Sequence, residues 1–498
     1  VTTIARPRLL AVTVLTLAAF TLAACAEVES NDRRAVVVNA LVDGDLALGK
    51  GRMAHVAGRN AQMARSLFDF YRGSLALFAR DWRAGDLPVT RSAFGVDSSL
   101  VLTIGDAHPE NFGLLLSGDG SLGLEPNDFD SADRYPYLWD VQRLLIGVTL
   151  AARLSNAEDN VARDEARAHS LEIARAAAQA YAEGMAQPAN TVAIAQGAAP
   201  AATPVVSDLF ARGKRDLAAR AELEELTTMS SGERRLKRGA TDDEAEHRLE
   251  TLPDFAWASL EDTVADYRDS LVAPPPADYF RILDAAREFG SGVASWPRLR
   301  VLVLVRGPSD DHEDDVVLEL KELSDSAAAG WFPPGVYYDS LPERIQQTSR
   351  ALWSRSDAEP LWGAATWLGF PVQVRAESEA QKTIRVARLK GELGTPESLK
   401  ALARVLGQAL ARIHSGPGNG EAAGKIASRL RAWPEGFADE QARFAVESAD
   451  RVESDWLLLR DAVDELGPSL GLRGGDMETA PNDLESLLGI PVAIGDIQ

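Results

Sequence analysis

Apolar residues recur at helical spacing through much of this chain. Leu67, Phe68, Phe70, Tyr71, Leu75, Leu77 and Phe78 keep one face apolar, so the pattern predicts helix from Met53 to Asp81. The same period predicts helices over Trp139–Leu154, Ala166–Ala186, Leu341–Leu352, Leu399–His414 and 437–464. Leu100–Ile104 and Leu122–Leu124 read as short strands, and further strands are expected around Val372–Val374. Arg298–Val305 and Val316–Leu320 flank an acidic turn containing Gly307 and Pro308, which predicts a hairpin. Residues 187–206, rich in Ala and Pro without a period, read as a linker, and 207–250 as a charged helical insertion. The last thirty residues read as irregular, and no internal repeat is evident.

Composition narrows the class. With 498 residues, 46% hydrophobic and 25% charged, the chain can bury a sizeable core. A net charge of −22 argues against a nucleic-acid partner. The single cysteine, Cys25, excludes a disulfide framework and a thiolate zinc site. Arg6 and Arg8 precede an apolar run from Leu9 to Ala24, which fits an export signal and is short for a spanning helix. The run ends Leu22-Ala23-Ala24-Cys25, which resembles a bacterial lipobox. That resemblance implies a signal peptide over 1–24, a lipid on Cys25 and a tether over 25–50. It also implies export and lipid anchoring at the cell envelope, with Ala26 resembling the outer-membrane sorting residue.

The sharpest chemistry follows the first predicted strand. Asp106, His108, Pro109 and Asn111 share one loop, followed by Asp128-Phe129-Asp130-Ser131-Ala132 and by Trp139-Asp140. Phosphoryl transfer needs a carboxylate for the acceptor hydroxyl and hard oxygen ligands for magnesium. Asx-rich loops also serve simply as caps and turns. The ordered set resembles the catalytic half of the aminoglycoside-phosphotransferase branch of the protein-kinase-like fold. The resemblance implies Asp106 as catalytic base and Asn111 and Asp128 as magnesium ligands. It leaves His108, Asp130 and Asp140 as supports of the loop. Ile104 stands where those enzymes commonly carry His.

The nucleotide-gripping parts of such a fold normally precede the catalytic loop; here they follow it. Gly290 and Gly292 form a glycine-rich turn ahead of the hairpin, and Lys321 ends its second strand, in a chain with eight lysines and 44 arginines. Glu343, opening the next predicted helix, is the candidate partner of Lys321, with Glu319 and Glu322 as competitors. Arg375 and Lys382 flank a hinge-like strand and are candidates for the nucleotide cleft. Residues 402–414 resemble the helix that ordinarily runs into the catalytic loop of these enzymes. The expected architecture is therefore α+β: a protein-kinase-like two-lobed fold in circularly permuted order, binding ATP and Mg2+. Its mainly helical large lobe would be split between 51–186 and 396–498. A small antiparallel sheet lobe would span 281–395, and a linker and insertion 187–280.

The chain is also similar to an uncharacterised bacterial family, domain-of-unknown-function family 2252, over about 50–460. The matching segments are Met63 with 68–73, 104–113, Asn127–Asp130, Trp139–Leu144, Leu318–Glu322, Glu343–Arg350 and Gly407–His414. Thr348 and Glu319 depart from the family's Gly and Gln. Arg72 is a candidate phosphate contact or a helix-surface ion pair, and His414 a core histidine. Two functions follow: a phosphotransferase of unknown acceptor, or a catalytically weak kinase-like binding module at the envelope.

Overall fold

The computed structural model describes residues 32–46, 48, 51–96, 100–187, 203–240, 248–293, 295–309, 311–325, 328, 331–332, 340–355, 357–473 and 487. The export signal, Cys25 and most of the C-terminal stretch lie outside the described residues. Where a tether is expected, residues 32–46 form a helix, α1. Val37, Ala40 and Leu41 sit at i, i+3 and i+4 and are buried against Met63, Phe70 and Leu459. Arg33 fixes the helix by bridging Asp81 at 2.6 Å and Asp455 at 2.5 Å.

The Met53–Asp81 pattern breaks into three helices, α2 (Met53–Arg65), α3 (Leu67–Gly73) and α4 (Leu75–Ala84). Ser66 is extended, and its hydroxyl accepts the Asp69 N–H, so it ends one helix and caps the next. Four short strands follow: β1 (Leu100–Leu102), β2 (Phe112–Leu116), β3 (Leu122–Pro126) and β4 (Arg134–Pro136). β2 pairs with β3 inside an outer ladder of β1 with β4, both antiparallel. Next come α5 (Tyr137–Leu154), α6 (Asn160–Ala168) and α7 (Ser170–Met185). α5 is the axis of the helical body, with residues 137–153 buried.

The insertion is less helical than its charge pattern suggests. After α8 (Pro204–Ala219) and α9 (Ala221–Leu226) the chain forms β5 (Thr227–Ser230), β6 (Glu233–Leu236), β7 (Gly239–Ala240) and β8 (Arg248–Thr251). α10 (Asp254–Ala258) and α11 (Leu260–Ser270) lead into β9 (Ile282–Phe289), β10 (Arg300–Val305) and β11 (Val316–Glu322). α12 (Leu341–Leu352), β12 (Gly363–Trp367) and β13 (Phe370–Ala376) complete this half. An antiparallel sheet runs β12-β13-β11-β10-β9-β8-β7, with the expected hairpin, β10 and β11, at its centre. Val301, Val303, Leu318 and Leu320 line one face and pack on Leu260, Val264 and Tyr267 of α11. Each such fully buried aliphatic side chain contributes roughly 1.5–3 kcal/mol. The opposite face carries Glu319 and Lys321, by strand alternation.

The chain then returns to the helical body through α13 (Pro396–His414), α14 (Gly420–Ala432) and α15 (Pro434–Leu466). Leu402, Leu406, Leu410 and Ile413 of α13 join the core that holds Leu144, Ile173 and Tyr181. Sequence-distant ends of the chain thus share one core with α5. The described chain is a mixed α+β protein, with no described helix long and apolar enough to cross a membrane.

Candidate functional site

The nested ladders build the site. Because β1 pairs with β4 while β2 pairs with β3, the loops 103–111 and 127–133 are forced side by side. Thr103 N–H donates to the Asp133 carbonyl at 2.9 Å, and Asn127 N–H to that of Asn111 at 3.1 Å. Asp140, in the first turn of α5, is fully buried and accepts the N–H groups of Ile104 at 2.8 Å and Gly105 at 2.9 Å. Trp139 Nε1 donates to the Gly105 carbonyl at 2.7 Å. Gly105 has φ +81°, and a Cβ there would overlap the Ser131 carbonyl, so only glycine fits between the loops.

Asp106 leaves this loop towards a buried arginine that the sequence reading leaves without a role. Arg143 Nε donates to Asp106 Oδ1 at 2.8 Å, its Nη2 donates to the same oxygen, and the guanidinium lies over the Tyr71 ring at 4.0 Å. The signal in the sequence is an arginine set between Gln142 and Leu144 in a helix whose residues 137–153 are buried. Burial pushes the Asp106 carboxyl up to about 6; Arg143 opposes the shift and the charge on Asp128 adds to it. Asn111 Nδ2 steadies the loop by donating to the Asp106 carbonyl at 2.8 Å. The His108 ring packs by Phe68 and Tyr71, with Nε2 3.7 Å from Asp106 Oδ2 and Nδ1 buried without a partner. Burial and the nearby Arg72, Arg143 and Arg385 hold it well below the usual histidine range, so it is neutral. Arg72 pairs with Glu110 at 3.1 Å and Asp69 at 3.4 Å.

Across the second loop stands the end of β11. Lys321 Nζ lies 2.8 Å from Asp130 Oδ2 and 3.4 Å from Asp128 Oδ2. Arg298, also without a role in the sequence reading, reaches Asp130 at 2.7 Å from just beyond the glycine turn. Burial pushes the Asp130 carboxyl up, but Lys321 and Arg298 outweigh it and hold it below the usual range. Asp130 Oδ1 is buried without a hydrogen-bond partner, whereas the Asp128 side chain is 37% exposed. Arg52, just before α2, and Glu322 form a second unanticipated bridge to the sheet, bidentate at 2.9 Å.

Several candidates stand elsewhere. Glu343 does not pair with Lys321: it occupies the first turn of α12, where its N–H donates to the capping Ser340 Oγ, and the two aspartates take the lysine instead. Gly290 and Gly292 do turn with φ +77° and +75° between β9 and β10. Arg375 is engaged within the sheet by Glu319 at 2.7 Å, and Lys382 by Asp216 at 3.3 Å on α8. His414 is fully buried at the end of α13, 2.9 Å from Tyr181 Oη and 3.4 Å from Asp140.

The oxygen set fits magnesium brought in with phosphates. Among the described residues no group of three His, Cys, Asp or Glu side chains is placed to hold a metal alone. A phosphate-bound magnesium needs only one or two carboxylates. Asp128, half-open to solvent, would supply one, with the Asn111 amide from the adjoining loop, and Asp130, whose Oδ1 is buried without a hydrogen-bond partner, stands beside it. Cavities of about 260 Å³ beside Arg134 and Asn419 and about 290 Å³ beside Asn156 and Lys390 lie apart from this cluster.

A family model described as "Uncharacterized protein conserved in bacteria (DUF2252)" matches residues 53–462. No curated protein and no solved structure matches the chain.

Proposed function

This chain belongs to that bacterial family, DUF2252, and from that premise we propose that it is a kinase-like phosphotransferase dependent on magnesium and ATP. The observation that carries the reading is the convergence of Lys321 on Asp128 and Asp130, beside a loop presenting Asp106 and Asn111. A phosphoryl-transfer site needs such a lysine for the donor phosphates, carboxylate and amide oxygens for the metal, and a separate carboxylate for the acceptor hydroxyl. Asp106 is that carboxylate. Arg143 occupies Oδ1 and fixes the rotamer, leaving Oδ2 to receive a hydroxyl proton. A pKa near 6 leaves it mostly ionised at neutral pH. Asn111 and Asp128 would hold magnesium, with Asp130 held beside them. Bound magnesium would neutralise charge developing on the transferred phosphoryl group.

The order of parts supports a circular permutation. A glycine turn, a lysine-bearing strand, a helix and a two-stranded hairpin follow one another from Ile282 to Ala376, as in kinases. α13 comes next, and its last residue, His414, meets Asp140 beneath the catalytic loop. Asn419 Oδ1 then accepts the Leu102 N–H of β1 at 2.6 Å. α13 and the turn after it thus bring the chain to β1, the order of parts that a permuted kinase-like fold would have.

A second reading, a binding module with weak or no catalysis, is favoured by the closed state of the carboxylates. Arg143 holds Asp106, and Lys321 with Arg298 covers Asp130. The two readings separate on magnesium-ATP binding and turnover by the chain from residue 26 onward. Binding lost in Asp128→Ala, and turnover lost in Asp106→Asn with binding kept, is the result expected of an enzyme. Binding without turnover leaves the module, and no binding at all sinks both. The acyl anchor proposed at Cys25 is checked by fractionation: Cys25→Ser should leave membranes, and unchanged membrane association refutes lipidation.

A further inference from the structure

Lys321 is one of a row of side chains, with Val317 and Glu319, that leave β11 on the face turned to the aspartates. Glu319 is 1% exposed and is gripped from both neighbouring strands. Arg300 of β10 pairs with it, and Arg375 of β13 donates through Nε at 2.7 Å. Arg300 extends to Glu288 at 3.6 Å, and its Nη2 donates to Ser295 Oγ in the glycine turn at 3.0 Å. Arg375 reaches Glu377 at 3.8 Å. Farther along the same face, Val317, Leu302 and Leu304 are sealed by Leu223 and Leu226 of α9 and Leu236 of β6.

In the phosphotransferase reading, on which this inference rests, the donor phosphates lie at Lys321 and the rest of the donor lies farther along this face. An aromatic base binds by stacking between apolar or aromatic surfaces. Here the space beneath the glycine turn is filled by the Arg300 side chain, and the floor is an ion network. Seating a ring would strip Arg300 from Glu319 and leave a buried carboxylate short of a partner, which is costly. Beyond the network the insertion closes the face. Beside Lys321, by contrast, one donor is unused. Gln373 is the register partner of Lys321 on β13, is 5% exposed, and has an unpartnered Nε2. Directly paired residues leave a sheet on the same face, so this N–H stands beside the lysine, suited to a phosphate oxygen.

We propose that the site recognises its donor through the phosphate chain alone, by Lys321 and Gln373, and that its described residues form no nucleobase pocket. ATP is then one donor among the magnesium-complexed triphosphates, nucleoside-linked or inorganic, that the site accepts. The test is calorimetric titration of the full chain with ATP, GTP, CTP, UTP and inorganic triphosphate, each with equal magnesium. The expected result is five dissociation constants within about threefold of one another. A nucleotide binding tenfold or more tightly than inorganic triphosphate overturns the inference and leaves the phosphotransferase reading standing. Binding of none of the five overturns both. Gln373→Leu supplies an independent check, expected to weaken all five by one common factor of about fivefold. A loss confined to one nucleotide would assign Gln373 to a base and overturn the inference.

Discussion

Lys321 and Asp128 stand 193 positions apart in the chain and meet with Nζ 3.4 Å from Oδ2. Their contact ties the central sheet strand to a loop of the helical body. Lys321→Met should weaken magnesium-ATP binding at least tenfold. It also leaves buried Asp130 with Arg298 as its one close cation, which should cost about 1–3 kcal/mol in urea denaturation. Unchanged binding with lowered stability would assign the lysine to structure alone.

Asp106 sets a pH dependence whose sign follows from its raised pKa. In the folded chain its carboxyl titrates near 6, against an ordinary value of 3.8. Between those values the folded state binds more protons than the unfolded one, so this group favours the fold in acid. That contribution fades as pH rises through the window and is gone above about 6. Activity runs the other way, because the base must be ionised: the rate should rise with pH and level off above about 6. Stability measured against pH for the wild type and Asp106→Asn should differ in slope between about 4 and 6, and equal slopes would contradict the assignment.

Arg143→Met removes the cation that opposes burial of Asp106. The acidic limb of the pH–rate profile should move above 6, because Asp128 still repels the ionised form and burial still disfavours it. Stability should fall by about 3–5 kcal/mol, the cost of stranding a buried charge. Arg143→Lys keeps the charge and should recover the limb in part. A profile unmoved by Arg143→Met would show that the arginine does not tune Asp106.

Asp140 and Gly105 shape the loop without meeting a substrate. Asp140→Ala leaves the Ile104 and Gly105 N–H groups and His414 without their acceptor in a fully buried site, and should cost about 2–5 kcal/mol. Gly105→Ala combines a positive φ with overlap on Ser131, and should cost about 2–4 kcal/mol by thermal or urea unfolding. Neither should change the affinity for inorganic phosphate analogues once the protein is folded. A stability loss below 1 kcal/mol in both would mean that the loops are not locked as described.

Periodicity and motif residues determined much by themselves. The β10–β11 hairpin, the helices α5, α12 and α13, and the segments holding Asp106, Asn111, Asp128 and Asp140 follow from local apolar spacing and residue type. Such features are local, and one chain segment contains the information. Residues 32–46, inside the expected tether, form a helix because Val37, Ala40 and Leu41 become a helix face once Met63, Phe70 and Leu459 offer a surface to cover. The insertion is partly sheet for a related reason: β7 and β8 are too short to declare themselves, and exist as strands because β9 offers an edge to β8, and β8 one to β7.

What tertiary structure alone decided is which charges meet. Sequence chose Glu343 for Lys321 by analogy of position; the fold gave that lysine to Asp128 and Asp130, and sent Arg375 to Glu319. Arg143 and Arg298 became site residues only when α5 and the glycine turn were packed against the two loops. Burial makes the difference. A carboxylate removed from water must take the nearest cation the fold presents, and which cation is nearest depends on strand register and helix packing across hundreds of residues.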